Sequence, residues 1–168
     1  MSITTDRFTM RKLLPTDAAA LFPTLSDPSQ CRYLTRPAFA NEEELWGWLS
    51  QRDWNGRTWI AEDKDGDVAG RFVAVPAHEE GVEEIGYITC KHRQREGVAR
   101  ECAAALVEFL FDEGARKLTA EVDTRNAASV KLLETLGFVR EGHFREHETT
   151  HAGLCDVYWY GALASERA

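Results

Sequence analysis

The sequence has no long hydrophobic run and no hydrophobic signal segment near its first residues. Its longest uninterrupted apolar run, Cys102 to Val107, is far shorter than the roughly 20 residues that cross a bilayer. The opening residues lack a basic stretch followed by an apolar one, which is the pattern of a secretory signal. We therefore expect a cytoplasmic protein with no membrane partner.

The sequence also lacks the paired spacing with which cysteines hold zinc or form a redox dithiol. Its four cysteines contain no C-x-x-C pair, so we expect no metal site among them. Small core residues in a reducing compartment are the expected role. The four residues are Cys31, Cys90, Cys102 and Cys155.

Basic residues are fewer than acidic ones, and the formal net charge is −8. We expect no nucleic-acid partner, because phosphates require a basic surface. An acidic surface instead suits a cationic substrate such as an amine. The apolar fraction of 43% excludes a disordered chain, and no repeat or linker interrupts it, so we expect residues 1–168 to form a single domain.

The spacing of apolar residues predicts the elements along the chain. Strands are expected over Ile3 to Leu14, Arg57 to Glu62, Val68 to Val75, Val82 to Cys90, Lys117 to Val122, Phe138 to Glu146 and Leu154 to Ala162. Helices are expected up to Leu25, from a capping box at Asn41-x-x-Glu44 to about Asp53, from Gly97 to Gly114, and from Ala127 to Leu136. This order indicates a mixed α/β sheet with helices on its faces.

One basic stretch stands out in this acidic chain, between the predicted strand ending at Cys90 and the predicted helix beginning at Gly97. Residues 91–100 carry four basic side chains and one acidic one. The first N–H groups of a helix have no carbonyl partner, and glycine lets the backbone approach a ligand closely. The stretch is therefore a predicted phosphate-binding loop.

The spacing Gln94-x-x-Gly97-x-Ala99 resembles the acyl-CoA pyrophosphate loop of the GNAT N-acetyltransferases, and the order of elements from Glu84 to Gly142 matches that family. The resemblance implies one GNAT-like domain, with a mostly antiparallel twisted sheet of about seven strands and helices on both faces. It also implies acetyl-CoA as cosubstrate. The implied binding residues are Gln94, Arg95, Glu96, Gly97, Val98, Ala99 and Arg100.

A second segment, beginning at Asn126, resembles another part of the same family. The resemblance implies that Asn126 binds the pantetheine arm or a water and that Ser129 lies near the thiol. Both residues also suit a helix start. Many relatives carry a tyrosine at the position of Leu133, where it protonates the thiolate, so here either Ser129 does this or no residue does. The segment, with Arg140-Glu141-Gly142, is most similar to the branch that acetylates ribosomal-protein N-termini.

Glu84 is the candidate general base. It shares a strand face with Ile88 and Cys90, and an apolar setting raises the proton affinity of a carboxylate. A base is needed because an ammonium has no lone pair with which to attack a thioester. The alternative is that Glu84 lies at a strand end in solvent.

The segment between the first two helices shapes the acceptor pocket in the family. The resemblance therefore makes its polar and aromatic residues candidate substrate contacts, with ordinary core packing as the alternative for the tryptophans. These candidates are Tyr33, Arg36, Trp46 and Trp54.

His147-Glu148-x-x-His151 matches the H-E-x-x-H zinc motif. That motif requires a helix, whereas Thr149 and Thr150 are β-branched, so we favour a surface turn. Three hypotheses follow: direct transfer from acetyl-CoA to a primary amine of a protein N-terminus or a small molecule, a zinc hydrolase, and a CoA-binding sensor without catalysis. Family resemblance also suggests a homodimer.

Overall fold

A computed structural model describes residues 1–167 as one eight-stranded sheet with helices on both faces. The strands are β1 (Ile3–Thr4), β2 (Phe8–Arg11), β3 (Arg57–Asp63), β4 (Val68–Pro76), β5 (Val82–Thr89), β6 (Lys117–Asp123), β7 (Val139–Thr150) and β8 (Gly153–Leu163). The spatial order is β1-β2-β3-β4-β5-β6-β8-β7, and β5 with β6 is the parallel pair in an otherwise antiparallel sheet. The predicted mixed, mostly antiparallel sheet is confirmed.

Two hydrophobic cores lie on opposite faces of the sheet. The helices are α1 (Asp17–Leu25), α2 (Glu42–Leu49), α3 (Val98–Asp112) and α4 (Ala127–Thr135). On one face, α1 and α2 pack against Ile60 and Ile88, and on the other α3 and α4 cover Phe72 and Ile85. None of the helices within residues 1–167 is long and apolar enough to span a membrane.

Three predicted boundaries are wrong. The strand expected from Ile3 to Leu14 is two strands, because Glu101 accepts hydrogen bonds from Thr5 and Arg7 and fixes a turn between them. The helix expected to reach Asp53 ends at Leu49. The strand expected to end at Glu146 continues to Thr150, because it pairs with β8 beyond a bulge.

The predicted capping box of α2 is half formed. The side chain of Asn41 accepts a hydrogen bond from the backbone N–H of Glu44 at 2.9 Å, as a capping box requires. The carboxylate of Glu44 binds the backbone N–H of Ala40 and the guanidinium of Arg36 instead of returning to Asn41. The helix start is therefore confirmed. Within residues 1–167, the second hydrogen bond of the box, from the backbone N–H of Asn41 to the carboxylate of Glu44, is not formed.

The parallel strands β5 and β6 separate after a short paired stretch, and this gap positions the site. They pair only over Val82–Glu84 with Lys117–Thr119, although β5 continues to Thr89 and β6 to Asp123. Beyond Glu84 the backbone of β5 faces a wedge-shaped gap that no strand within residues 1–167 fills. The helices α3 and α4 both begin at the wide end of this wedge, because each follows one of the two strands.

Candidate active site

The predicted phosphate loop begins directly after β5 with a short 3-10 turn over Lys91–Arg93. Arg95 and Gly97 both have left-handed backbones, with φ of 65° and 78°, and α3 begins immediately after Gly97. Gly97 has no side chain to cap the helix, so the first N–H groups of α3 stay available at an exposed turn. This arrangement suits an anion such as a pyrophosphate.

The charges of the loop are not all available to a ligand. Arg93 is bound to Asp63 at 2.9 Å, Asp67 at 2.7 Å and Glu96 at 2.8 Å. Within residues 1–167, Arg95 and Arg100 form no ion pair, and both are exposed. These two arginines, rather than Arg93, are therefore the side chains placed to meet phosphate charge.

Asn126 and Ser129 lie at the start of α4, where they make the contacts of a helix cap. Asn126 Oδ1 accepts a hydrogen bond from the backbone N–H of Ser129 at 3.2 Å. The Ser129 hydroxyl is 2.7 Å from the hydroxyl of Tyr87, which comes from β5 across the wedge. Burial raises the pKa of Tyr87, so its phenol keeps its proton at neutral pH. Leu133 is fully buried.

Tyr87 was not among the predicted site residues. The signal was present, because period-2 alternation places Tyr87 on the same face as the buried Ile85, toward α3 and α4. What the pattern does not give is the hydroxyl pair with Ser129, since the two residues are 42 positions apart.

Glu84 lies at the narrow end of the wedge, where the pairing of β5 with β6 stops. Its side chain is on the face that carries α1 and α2, as the alternation with Ile88 predicts. Burial, together with the nearby carboxylates of Glu121 and Glu148, raises the pKa of Glu84 to about 7. A carboxylate with this pKa accepts a proton at neutral pH and holds it well enough to act as a base. The neighbouring Glu83 lies on the opposite face, paired with Arg57 at 2.9 Å.

The four predicted acceptor contacts are not brought together. Trp54 lies over the guanidinium of Arg71, at 5.4 Å from its centre. The Tyr33 hydroxyl donates to the backbone oxygen of Arg125 at 3.1 Å, close to the start of α4. Arg36 is paired with Glu44 and stacked on a phenylalanine, and Trp46 packs partly buried against the α1 and α2 core.

The H-E-x-x-H segment does not form the helix that a zinc site requires, and the surface turn that we favoured is present only at His151. His147 and Glu148 belong to β7, beside a bulge, and His151 lies in the turn to β8. His151 Nε2 is 3.0 Å from the backbone oxygen of Cys31. On a strand, residues four apart do not present two imidazoles as a helix does, so the zincin geometry is not formed.

Comparison with known proteins agrees with this arrangement. A family model described as the acetyltransferase (GNAT) domain matches residues 7–139. A Bacillus licheniformis protein described as the uncharacterized N-acetyltransferase p20 is 27% identical over 172 residues, covering 98% of this chain and 97% of its own length.

Two solved structures share the fold. A GNAT-family acetyltransferase from Bacillus anthracis superposes with a TM-score of 0.91 at 24% identity, covering 99% of this chain and all of its own. Spermidine N-acetyltransferase from Vibrio cholerae, in complex with CoA and spermine, gives a TM-score of 0.83 at 22% identity, covering 95% and 97%. The chain belongs to the GNAT family of acetyltransferases, and the protein is an acyltransferase.

Proposed function

We propose that the protein transfers an acetyl group from acetyl-CoA directly to a primary amine, with Glu84 as the general base. The observation that carries this proposal is the position of Glu84. A half-buried carboxylate with a pKa of about 7 lies where β5 and β6 separate, and the wedge leads from it to the loop at the start of α3.

The wedge and the loop support acetyl-CoA as the cosubstrate. The edge of β5 beyond Glu84 offers backbone N–H and C=O groups that β6 does not use. An extended chain with amide groups, such as pantetheine, pairs well with such an edge. The N–H groups at Gly97, together with Arg95 and Arg100, suit the pyrophosphate at the other end of the same molecule.

The two proton transfers of the reaction take place on opposite faces of the sheet, with Glu84 on one face and Ser129 and Tyr87 on the other. Glu84 removes a proton from the amine, directly or through a water, so that the nitrogen lone pair attacks the thioester carbonyl. The new C–N bond forms as the C–S bond breaks, and the sulfur leaves with the electron pair. Ser129 donates its proton to that sulfur as the hydroxyl of Tyr87, 2.7 Å away, passes its own proton to Ser129, and Tyr87 regains a proton from water when CoA leaves.

The state of the cysteines supports direct transfer over an acyl-enzyme. All four thiols are buried, and burial raises the pKa of each, that of Cys90 to about 11 and that of Cys102 to about 12. The thiolate is the nucleophilic form, so none of these cysteines is activated at neutral pH.

The acceptor class is a primary amine. A protein N-terminus and a small amine present the same nitrogen to Glu84. The three carboxylates of Glu84, Glu121 and Glu148 lie close enough to influence one another and favour a cationic ammonium on arrival.

Acetyl-CoA should raise the melting temperature of the purified protein. A ligand that binds only the native state adds roughly 2.7 kcal/mol of stability at a hundredfold excess over its dissociation constant. Desulfo-CoA should act nearly as well, because the loop binds the pyrophosphate rather than the sulfur. The measurement is a thermal melt with each ligand, and no shift at millimolar concentration of either would contradict acetyl-CoA binding.

A further inference from the structure

Arg71 is a buried arginine that the site described above does not use. It lies on β4 opposite Ile88 of β5, on the sheet face that also carries Glu84. Its exposure is 8%. Among residues 1–167, its guanidinium makes one hydrogen bond, from Nη2 to Thr58 Oγ1 at 3.2 Å, and the buried Nε has no partner.

The charge of Arg71 is also without a counter-ion in the part of the chain that the structure describes. No carboxylate lies within ion-pair distance, whereas Arg11 is paired with Asp17 and Glu62, and Arg57 with Glu83 and Glu113. Burial lowers the pKa of Arg71 to about 10, and no acidic neighbour raises it. The side chain is therefore a cation at neutral pH, and an isolated buried charge is unfavourable unless an anion pairs with it.

Two tryptophans border this guanidinium. The rings of Trp48 and Trp54 lie 4.8 Å and 5.4 Å from its central carbon. Aromatic faces attract a cation but carry no net charge, so they hold the guanidinium in position without neutralising it. A planar fork fixed between two rings is well prepared to bind a carboxylate through two parallel hydrogen bonds.

The strand register places Arg71 within reach of the proposed base. Thr58, which Arg71 contacts, is opposite Val73, and Val73 is opposite Gly86, two residues along β5 from Glu84. Two residues span roughly 7 Å along a strand, and β3, which carries Thr58, is two strands or about 10 Å from β5, so the backbones of Thr58 and Glu84 are about 12 Å apart. The side chains of Arg71 and Glu84 leave the same face of the sheet, so a small molecule that carries its carboxylate at one end and its amine at the other can meet both.

We propose that Arg71 binds a carboxylate of the acceptor, an inference that rests on the proposed function. The substrate is then a free amino acid or another small amine that carries a carboxylate. Trp48 and Trp54 position the guanidinium, and Glu84 takes the proton from the amine at the other end. A protein N-terminus has no such carboxylate next to its amine, because that group is already an amide.

The test compares amino acids, both α- and ω-amino, with their own carboxamides, which have nearly the same size but lack the carboxylate charge. An α-carboxamide also lowers the pKa of the neighbouring amine, so the ω-amino pairs, in which the two groups are far apart, give the clean comparison. Wild-type protein should show a kcat/KM about 30-fold or more higher for the acids, since pairing a buried charge with its partner has an effect of at least this order. Arg71→Met should remove that preference, and Arg71→Lys should restore part of it. Acetyl-CoA affinity should be unchanged in both variants.

Arg57→Met is the matched control. Arg57 is another arginine stacked on a tryptophan, with its guanidinium 5.2 Å from the ring of Trp59, but it is already paired with Glu83 and Glu113 on the opposite face. This control should keep the preference for acids. Equal kcat/KM for acids and carboxamides in the wild type would overturn the proposal and favour a protein N-terminus. An unchanged preference for acids in Arg71→Met would overturn it as well, because another group would then bind the carboxylate.

Binding measurements separate this inference from the proposed function. Calorimetric titration of the same acids and carboxamides into the protein with desulfo-CoA should show tighter binding of the acids. Absence of turnover together with this binding preference would contradict the transferase and leave the Arg71 site standing. Turnover with equal binding of acids and carboxamides would support the transferase and contradict the Arg71 site. If Arg71→Met does not fold, Arg71→Lys and the wild-type comparison still decide.

Discussion

Glu84→Gln should reduce turnover by about 10²-fold or more, which is the usual effect of removing a positioned general base. Glutamine keeps the size of the side chain but does not accept a proton at neutral pH, so the amine remains an ammonium more of the time. Acetyl-CoA affinity should be nearly unchanged, because Glu84 lies on the face away from Tyr87 and Ser129. Steady-state kinetics and a binding titration measure the two effects separately.

The pH dependence of the same variant gives the sign of the effect. The pKa of Glu84 is about 7, so wild-type kcat/KM should rise as the pH increases through about 7 and the carboxylate loses its proton. Glu84→Gln should lack this rise, and its deficit should shrink at high pH, where the free amine forms without help. Glu83→Gln, changed on the neighbouring residue of the opposite face, should keep both the rate and the profile.

The free energy of unfolding should also depend on pH, because the pKa of Glu84 is raised in the folded protein. Because the folded protein holds a proton on Glu84 up to about pH 7, the stability from that proton is present below the usual carboxylate pKa and is lost as the pH rises through 7. Glu84→Gln should therefore gain stability relative to wild type at pH 8 but not at pH 4.

His147→Ala and His151→Ala should leave turnover within a few-fold, and loss of activity in these two alone would place the base elsewhere.

Gly97→Val should weaken acetyl-CoA binding more than it weakens folding. Gly97 has φ of 78°, a conformation that costs a β-branched residue roughly 1–3 kcal/mol, although its Cβ would have room. The valine side chain would in addition occupy the space through which phosphate approaches the N–H groups of α3. We expect the dissociation constant to increase about tenfold or more, the effect of losing one charge-assisted hydrogen bond.

Gly114→Val is the matched control for this change. Gly114 follows the other end of α3, also with positive φ and with open space around its Cβ position. It should lose a similar amount of stability in a denaturant titration and keep its affinity for acetyl-CoA. Equal loss of affinity in both variants would mean that Gly97 is needed only for folding.

The parts of the fold that follow from local chemistry were predictable from the sequence. Gly97 and Gly137 mark the start of α3 and the end of α4, and both have positive φ. The cap at Asn41 was predicted for the same reason, since it depends on neighbours within a few residues. The face on which Glu84 lies followed from simple alternation.

Features that depend on distant contacts were not predictable. Arg93 contributes to the basic charge of residues 91–100, but Asp63 and Asp67, far away in sequence, bind it. Arg71 is conspicuous in the sequence as a single arginine within the apolar run of β4. Its burial, however, depends on Trp48 and Trp54, which lie outside that strand and cover the guanidinium. Sequence spacing states which side chains share a strand face, and packing decides which of them meet.

The most direct test of the central claim is release of the free thiol of CoA from acetyl-CoA by the purified protein, measured with and without a panel of primary amines. The panel should include amino acids, polyamines and a peptide with a free N-terminus. We predict release that depends on an amine, forms one acetylated amine per thiol and is lost in Glu84→Gln. Tight binding of acetyl-CoA with no amine-dependent release would contradict the transferase and identify the protein as a CoA-binding sensor.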